Sequence, residues 1–396
     1  VDKPPFNNSE IRRKAMSTTA RIEVKGQDPV AALQDFLGDL LTKGGMSALL
    51  TSARLPMKNI VMPTLVVDPE KLSGADPLAP AFPMNAAKVA SKLTRKPLGG
   101  EIALVLRPCE IRAFVELVKL NQARMDEVVL IGVDCLGAYG NRDYPVFSSS
   151  DGVASTLRFY RNILEGKGTA IDGVDLSPAC KACEHPVPDN ADLVIGTVGI
   201  DITDSFPIIA KTAKGSALLD RLGLQQCAEP ESRKTAVAEL LARRTAYRDR
   251  MFVETSEATA DIEKLMGYLG NCVNCYNCRV ACPVCYCREC VFVTDVFDHE
   301  PSQYLRWAKR KGLLKMPTDT IFYHLTRLAH MSTACIGCGQ CSNACPNDVP
   351  VMELFRTIAG HTQKAFGYEA GRSIEDDPPL SVFREKEFPE ITGGKD

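Results

Sequence analysis

Residues 102–133 read IALVLRPCEIRAFVELVKLNQARMDEVVLIGV. Positions 102–106 are continuously apolar, 109–120 (CEIRAFVELVKL) repeat apolar residues at helical spacing, and 128–133 (VVLIGV) are continuously apolar again. Short apolar runs bounded by turns suit parallel strands covered on both faces, so the stretch predicts strand–helix–strand and an α/β fold. The same reading extends outward. Asp28-Pro29 opens a helical pattern, VAALQDFLGDLLTK, that stops at Gly44-Gly45. NIVMPTLVV, from residue 59, reads as a strand, Asn85 as the cap of a helix AAKVASKLTRK, and ADLVIGTVGI, from Ala191, as a fourth apolar run.

The chain has 396 residues, enough for two or three domains, and 45% of them are apolar, enough to bury real cores. A net charge of −2 argues against a basic nucleic-acid binder, which needs clustered Lys and Arg. No run approaches the length of a membrane span. The opening VDKPPFNNSEIRRKAM lacks the apolar centre of a signal peptide, so the expectation is a cytoplasmic, reducing setting. In such a setting 16 cysteines are metal ligands or redox groups rather than cross-links. They are unevenly spread: none precedes Cys109, and eleven lie between Cys272 and Cys345. The expected division is an N-terminal arm (1–25), an α/β domain (26–255), a helical metal-rich domain (256–366) and a C-terminal arm (367–396). AVAELLARRTAYRDRMF (236–252) is expected to be the helix joining the two domains.

Two segments of the second domain match each other: Cys272-x2-Cys275-x2-Cys278-x3-Cys282-Pro283 and Cys335-x2-Cys338-x2-Cys341-x3-Cys345-Pro346. This is the spacing of a bacterial two-cluster ferredoxin, in which the fourth cysteine of each run reaches the other cluster. The expected [4Fe–4S] ligand sets are therefore Cys272, Cys275, Cys278 and Cys345 for one cubane, and Cys335, Cys338, Cys341 and Cys282 for the other. The alternative is a pair of zinc sites, which also use Cys-x2-Cys but without two identical runs. YLRWAKRKGLL and TIFYHLTRLAHM, between the motifs, point to a helical ferredoxin domain rather than a compact β-rich one.

A second constellation is Arg107-Pro108-Cys109, Cys135 and Cys180-x2-Cys183. Cys109 and Cys135 each follow a strand, at the sheet edge where open α/β sheets bind ligands. A helix N-terminus at Cys109 should lower its thiol pKa. The four thiols could hold a third cubane, or Cys109 and Cys135 could be buried filler. Cys285, Cys287 and Cys290 remain in the run CPVCYCREC, with Cys227 as a candidate distant fourth ligand for a fourth site; packing or tuning of neighbouring clusters is the equal alternative. GxGxxG, GxxxxGK[ST] and HExxH are absent. His185 reads as a loop residue near a cluster, His324 and His330 as packing or solvent-facing, and Lys309-Arg310-Lys311 as a solvated basic face; His299 and His361 complete the histidines.

RPCEIRAFVELVKLNQA, GVDCLG and CKACEHPVPDNADLVIGTVG resemble the β-subunit family of deazaflavin-reducing hydrogenases and formate dehydrogenases, and CVNCYNCRVACPVCYCREC resembles its longer, formate-dehydrogenase-type members. The resemblance covers roughly residues 40–200 plus the two-cluster motifs. It implies a non-Rossmann domain binding FAD, a cluster held by Cys109, Cys135, Cys180 and Cys183 beside it, and a place in a larger complex. The flavin would exchange hydride with a deazaflavin or nicotinamide and single electrons with the clusters. The partner would be a catalytic dehydrogenase or hydrogenase subunit, or else a heterodisulfide-reductase-like protein served by a flavin-free adaptor. Asn85, Arg107, Gly196 and Gly199 are the candidate flavin contacts; a helix cap, an ion pair and a turn are their ordinary alternatives.

Overall fold

The structure is a computed structural model describing residues 18–56, 60–148, 152–287, 289–294, 300–311 and 319–382. Its strands are β1 (Thr19–Glu23), β2 (Ala48–Arg54), β3 (Val61–Val66), β4 (Ile102–Leu106), β5 (Val128–Val133), β6 (Leu193–Ile195), β7 (Ser205–Ala210) and β8 (Gln226–Cys227). The helices of the first half are α1 (Pro29–Thr42), α2 (Ala87–Leu93), α3 (Pro108–Lys119), α4 (Asp143–Ser148), α5 (Val153–Leu164), α6 (Pro178–Lys181) and α7 (Ala213–Leu222). The second half is helical: α8 (Glu231–Ala258), α9 (Ile262–Tyr268), α10 (Asn277–Ala281), α11 (Pro301–Lys311), α12 (Thr320–Met331), α13 (Gln340–Asn343) and α14 (Val351–Ala365).

The strands form one sheet in the order β3-β2-β4-β5-β6-β7-β1-β8. Only β2, β4, β5 and β6 are mutually parallel. β3, β7, β1 and β8 pair antiparallel, so the expected parallel sheet is corrected to a mixed one. The reason is connection length. β2–β3 and β6–β7 are joined by short links that only antiparallel neighbours can use, whereas β4 and β5 are joined through the crossover helix α3.

All residues of β4 and β5 are buried, and they alternate between two cores. Ala103, Val105, Val129 and Ile131 meet α1, α5 and α7 on one face. Ile102, Leu104, Leu106, Val128 and Leu130 meet α2 and α3 on the other, through Ile111, Phe114 and Leu117. Each such apolar side chain contributes roughly 1.5–3 kcal/mol by leaving water. α3 starts where Pro108 sets its first turn and Glu110 reaches back to accept the Arg107 N–H at 2.9 Å.

Both expected arms are partly structural. Thr19–Glu23 lie inside the sheet between β7 and β8. The segment after α14 docks on α3: the Tyr368 hydroxyl and the Gly371 N–H both donate to Glu116 at 2.6 Å, and Asn190 donates to the Gly371 carbonyl at 2.6 Å. Residues 1–17 and 383–396, and His299, lie outside the described residues. α8 links the halves, with Leu240 in the α/β core and Met251 against Met352 of α14. Among the described residues no helix is long and apolar enough to cross a membrane.

Candidate metal centres

Cys109 stands in the first turn of α3, beyond the end of β4, and Cys135 follows β5 by two positions. The Cys135 N–H donates to the Pro186 carbonyl at 2.8 Å, pinning the loop after α6 against the end of β5. Ser177 caps α6, which carries Cys180, and the Ala138 N–H donates to Cys180 Sγ at 3.3 Å. Cys183 follows immediately. Burial pushes the Cys109 thiol far up, and negative charge on Glu110, Cys135, Cys338 and Cys183 pushes it further. Burial also raises Cys135, Arg107 opposes, and Cys180 and Cys183 add to the rise. The expected lowering of Cys109 by the helix dipole is thus corrected: desolvation and crowding of like charge outweigh it.

Cys282, Cys335, Cys338 and Cys341 line one largely enclosed, apolar cavity closed by Val284, Met331, Ile336, Met352 and Phe355. Burial raises the Cys341 thiol, and charge on Cys282, Cys338 and Cys335 adds to it. Cys272 is raised by burial, with Cys278, Cys345 and Cys275 as its crowding thiols. Neighbouring thiols thus gather in three regions, and Cys282 and Cys345 each sit with the motif other than their own; Cys338 also adjoins Cys109, and Cys285 adjoins Cys282. Cys338 links the Cys282 group to the Cys109 group, and Arg327, bonded to Cys278 and lining the Cys282 cavity, links it to the Cys272 group. All the cysteines are free thiols, and among the described residues no three or more His, Cys, Asp or Glu close around a single ion. Crowded, largely sheltered thiols resist ionising one by one. A cationic iron–sulfur core that neutralises all four corners removes that penalty, so the donor set fits the group.

The Cys272 group carries a shell of polar side chains from α12. Arg327 Nη1 lies 3.1 Å and the Tyr323 hydroxyl 3.2 Å from Cys278 Sγ, and His324 Nε2 lies 3.4 Å from Cys272 Sγ. Sequence reasoning placed His324 in packing or solvent and passed over Tyr323 and Arg327. His330 and His361 are exposed, as are Lys309 and Arg310. His185 bonds Arg112 at 3.2 Å instead of a thiol.

The remaining cysteines do not form a set. Burial, then Cys282 and Cys287, push the Cys285 thiol up to about 11. Cys287 is exposed and Cys290 is partly buried. Cys227 is on β8 opposite Thr19, with Arg21 as its charged neighbour. Its expected role as distant ligand for that run is corrected: it belongs to the sheet edge.

The candidate flavin contacts fall elsewhere too. Asn85 is buried, accepts the Ala87 N–H at 3.0 Å as a cap of α2, and turns its amide toward the Cys338 thiol without a full hydrogen bond. Arg107 is buried, donates to the Ala79 carbonyl at 2.6 Å, and faces Cys135, Cys109 and Cys180. At Gly196 a Cβ would meet Pro207 at 2.9 Å, and at Gly199 (φ +69°) it would meet Ala236 at 2.4 Å. What these two glycines make room for is β7 and helix α8, which corrects their reading as a ligand cradle. Asp134 fixes the same loop, accepting the Thr197 N–H at 2.9 Å and pairing with buried Arg233 of α8 at 2.8 Å. Gly199→Ala is expected to destabilise the fold by about 1–3 kcal/mol through strain and overpacking. Thermal unfolding checks this.

Residues 99–234 match the family model for the C terminus of the β subunit of coenzyme F420 hydrogenase/dehydrogenase. They are a domain of that family. Residues 330–351, which carry Cys335, Cys338, Cys341 and Cys345, match the 4Fe–4S binding domain. A curated relative, the F420-dependent formate dehydrogenase subunit β of Methanocaldococcus jannaschii, is 27% identical over 82% of this chain and 86% of its own length. The F420-dependent formate dehydrogenase 1 subunit β of Methanococcus maripaludis is 28% identical over 71% of this chain and 75% of its own length. A chain from the F420-reducing [NiFe] hydrogenase complex of Methanosarcina barkeri aligns with a TM-score of 0.43 at 12% identity, over 63% of this chain and 94% of that one. A 4Fe–4S match and the β-subunit match lie in one chain, as in the resemblance drawn from the sequence, and the run from Cys272 to Cys282 lies outside both.

A cavity of about 460 Å³ opens beside Cys135, between the loop at 166–176 and α8. Leu136, Ile163, Leu240 and Tyr247 give it an apolar wall, Arg243 and buried Arg244 add positive charge, and Lys181 is paired with Asp175 of the same lining at 2.6 Å. None of the four expected flavin contacts lines it.

Proposed function

We propose that this chain is the flavin-bearing electron-transfer subunit of an oxidoreductase complex of the formate dehydrogenase or hydrogenase type, with three [4Fe–4S] clusters in series. The observation that carries the reading is the gathering of thiols into three neighbouring regions, the Cys282 group adjoining Cys109 through Cys338 and sharing Arg327 with Cys278. Cys109, Cys135, Cys180 and Cys183 would hold the first cluster, Cys282, Cys335, Cys338 and Cys341 the second, and Cys272, Cys275, Cys278 and Cys345 the third. The cavity beside Cys135 suits FAD: its apolar wall fits a ring system and Arg243 and Arg244 fit a pyrophosphate, while Lys181 is already paired with Asp175. When bound, a flavin supplies the exchange between one hydride and two single electrons, and cubanes carry electrons one at a time.

The chain's own residues then have definite tasks. Arg107 places a buried positive charge against the first group of thiols. Arg244 donates to the Cys135 carbonyl at 3.1 Å, tying the cavity wall to that group. Glu184, next to Cys183, is held between Arg248 of α8 and Arg356 of α14. This clamp fixes the first group against the second. The relatives' printed names support a deazaflavin as the hydride partner and a formate dehydrogenase as the complex.

Anaerobic purification tests the reading. About twelve irons per chain are expected at about four per cubane, with about one acid-released FAD and a brown absorption that dithionite bleaches. About eight irons would remove the Cys109 group from the path. Full iron without flavin would select the flavin-free adaptor, and a colourless zinc protein would end both.

A further inference from the structure

Arg327 is 4% exposed, and among the described residues it has no carboxylate within ion-pair reach. Its guanidinium lies between the rings of Phe355 and Tyr323, at 4.7 and 5.6 Å from their centroids. One end donates to Cys278 of the Cys272 group, to Sγ at 3.1 Å and to the carbonyl at 3.3 Å. The same side chain lines the cavity formed by Cys282, Cys335, Cys338 and Cys341. Among the described residues its Nε has no partner. A buried cation without a counter-charge is strongly unfavourable, and the groups around this one are sulfurs of two separate cysteine sets.

We propose that Arg327 is a positioning residue shared by the two ferredoxin-type sites, and that with Tyr323 it makes the Cys272-group site the deeper electron well. The proposal rests on the cluster reading given above. Reduction adds one electron, and so one negative charge, to a cubane. A fixed positive charge and hydrogen bonds to its sulfurs favour that form and raise the potential. The Cys272 group receives both donors directly, and its Cys275 is exposed, which raises the potential further. The Cys282 group has the same charge at its cavity wall and Arg356 near Cys335, but its own donors, the Gly337 and Gln340 N–H groups and the Asn85 amide, are neutral, so among the described residues no cation touches its sulfurs as Arg327 touches Cys278. The step from the second cluster to the third therefore runs downhill, toward the surface at Cys275.

The test is a dithionite-poised redox titration of the full-length holoprotein, followed by electron paramagnetic resonance. In Arg327→Gln the midpoint of the Cys272-group signal should move negative, that of the Cys282 group should move negative by less, and that of the Cys109 group should stay. Arg327→Lys keeps the charge and should restore part of both shifts. Tyr323→Phe should move the Cys272 group alone. Unmoved midpoints in an Arg327→Gln protein with full iron would overturn the proposal. If that variant loses iron, Tyr323→Phe decides: a shift at the Cys272 group supports the proposal, and no shift overturns it. A wild-type protein without cluster signals would instead sink the cluster reading itself.

Discussion

Cys345→Ala protein, purified without oxygen, will lose the cluster of the motif it does not belong to. Cys345 closes the second CxxCxxCxxxCP run, yet its thiol stands with Cys272, Cys275 and Cys278. The reciprocal variant, Cys282→Ala, will lose the cluster of the second run, because Cys282 shares a cavity with Cys335, Cys338 and Cys341. Each variant should keep about eight of about twelve irons, and the two should lack different resonance signals. The discriminating control is Cys275→Ala, which should lose the same signal as Cys345→Ala. If Cys345→Ala instead matches Cys338→Ala, each motif holds its own cluster and the crosswise grouping is wrong.

Cys183→Ala should break the path at its first step. Cys183 sits with Cys109, Cys135 and Cys180, the group that Cys338 of the second ferredoxin motif adjoins. Its loss should remove about four irons and leave the other two clusters reducible by dithionite. A hydride donor should still bleach the flavin in this variant, but the Cys272-group signal should no longer follow. Stopped-flow reduction with the flavin and cluster absorptions read separately would show the uncoupling. Clusters that still follow the flavin at the wild-type rate would mean that electrons bypass this group.

Much of this was legible in the residues. β4, α3 and β5 could be read because strands buried on both faces become continuous apolar runs. The exchange of Cys282 and Cys345 could be read because a fourth cysteine, set beyond a longer gap than the first three, stands apart from its own trio. β7 was hidden: SFPIIA carries Pro207, which argues against an interior strand, and β1 was hidden in a charged, five-residue TARIE. The polar shell on the Cys272 group was hidden for another reason. Tyr323, His324 and Arg327 look like ordinary helical positions, and only the docking angle of α12 decides that they meet sulfur. The role of Gly196 and Gly199 turned on packing as well, since a glycine makes way for protein as readily as for a ligand.

The docking of residues 368–371 on α3 has a consequence for how the molecule works. The chain leaves the sheet through α8, builds the helical half, and then returns to bind Glu116, Asn190 and Arg112 of the half it left. The two halves are stitched at both ends, so neither is free to swing like an arm on a single tether. On the proposed reading, electrons crossing between the halves would pass between two bodies tied together at both ends.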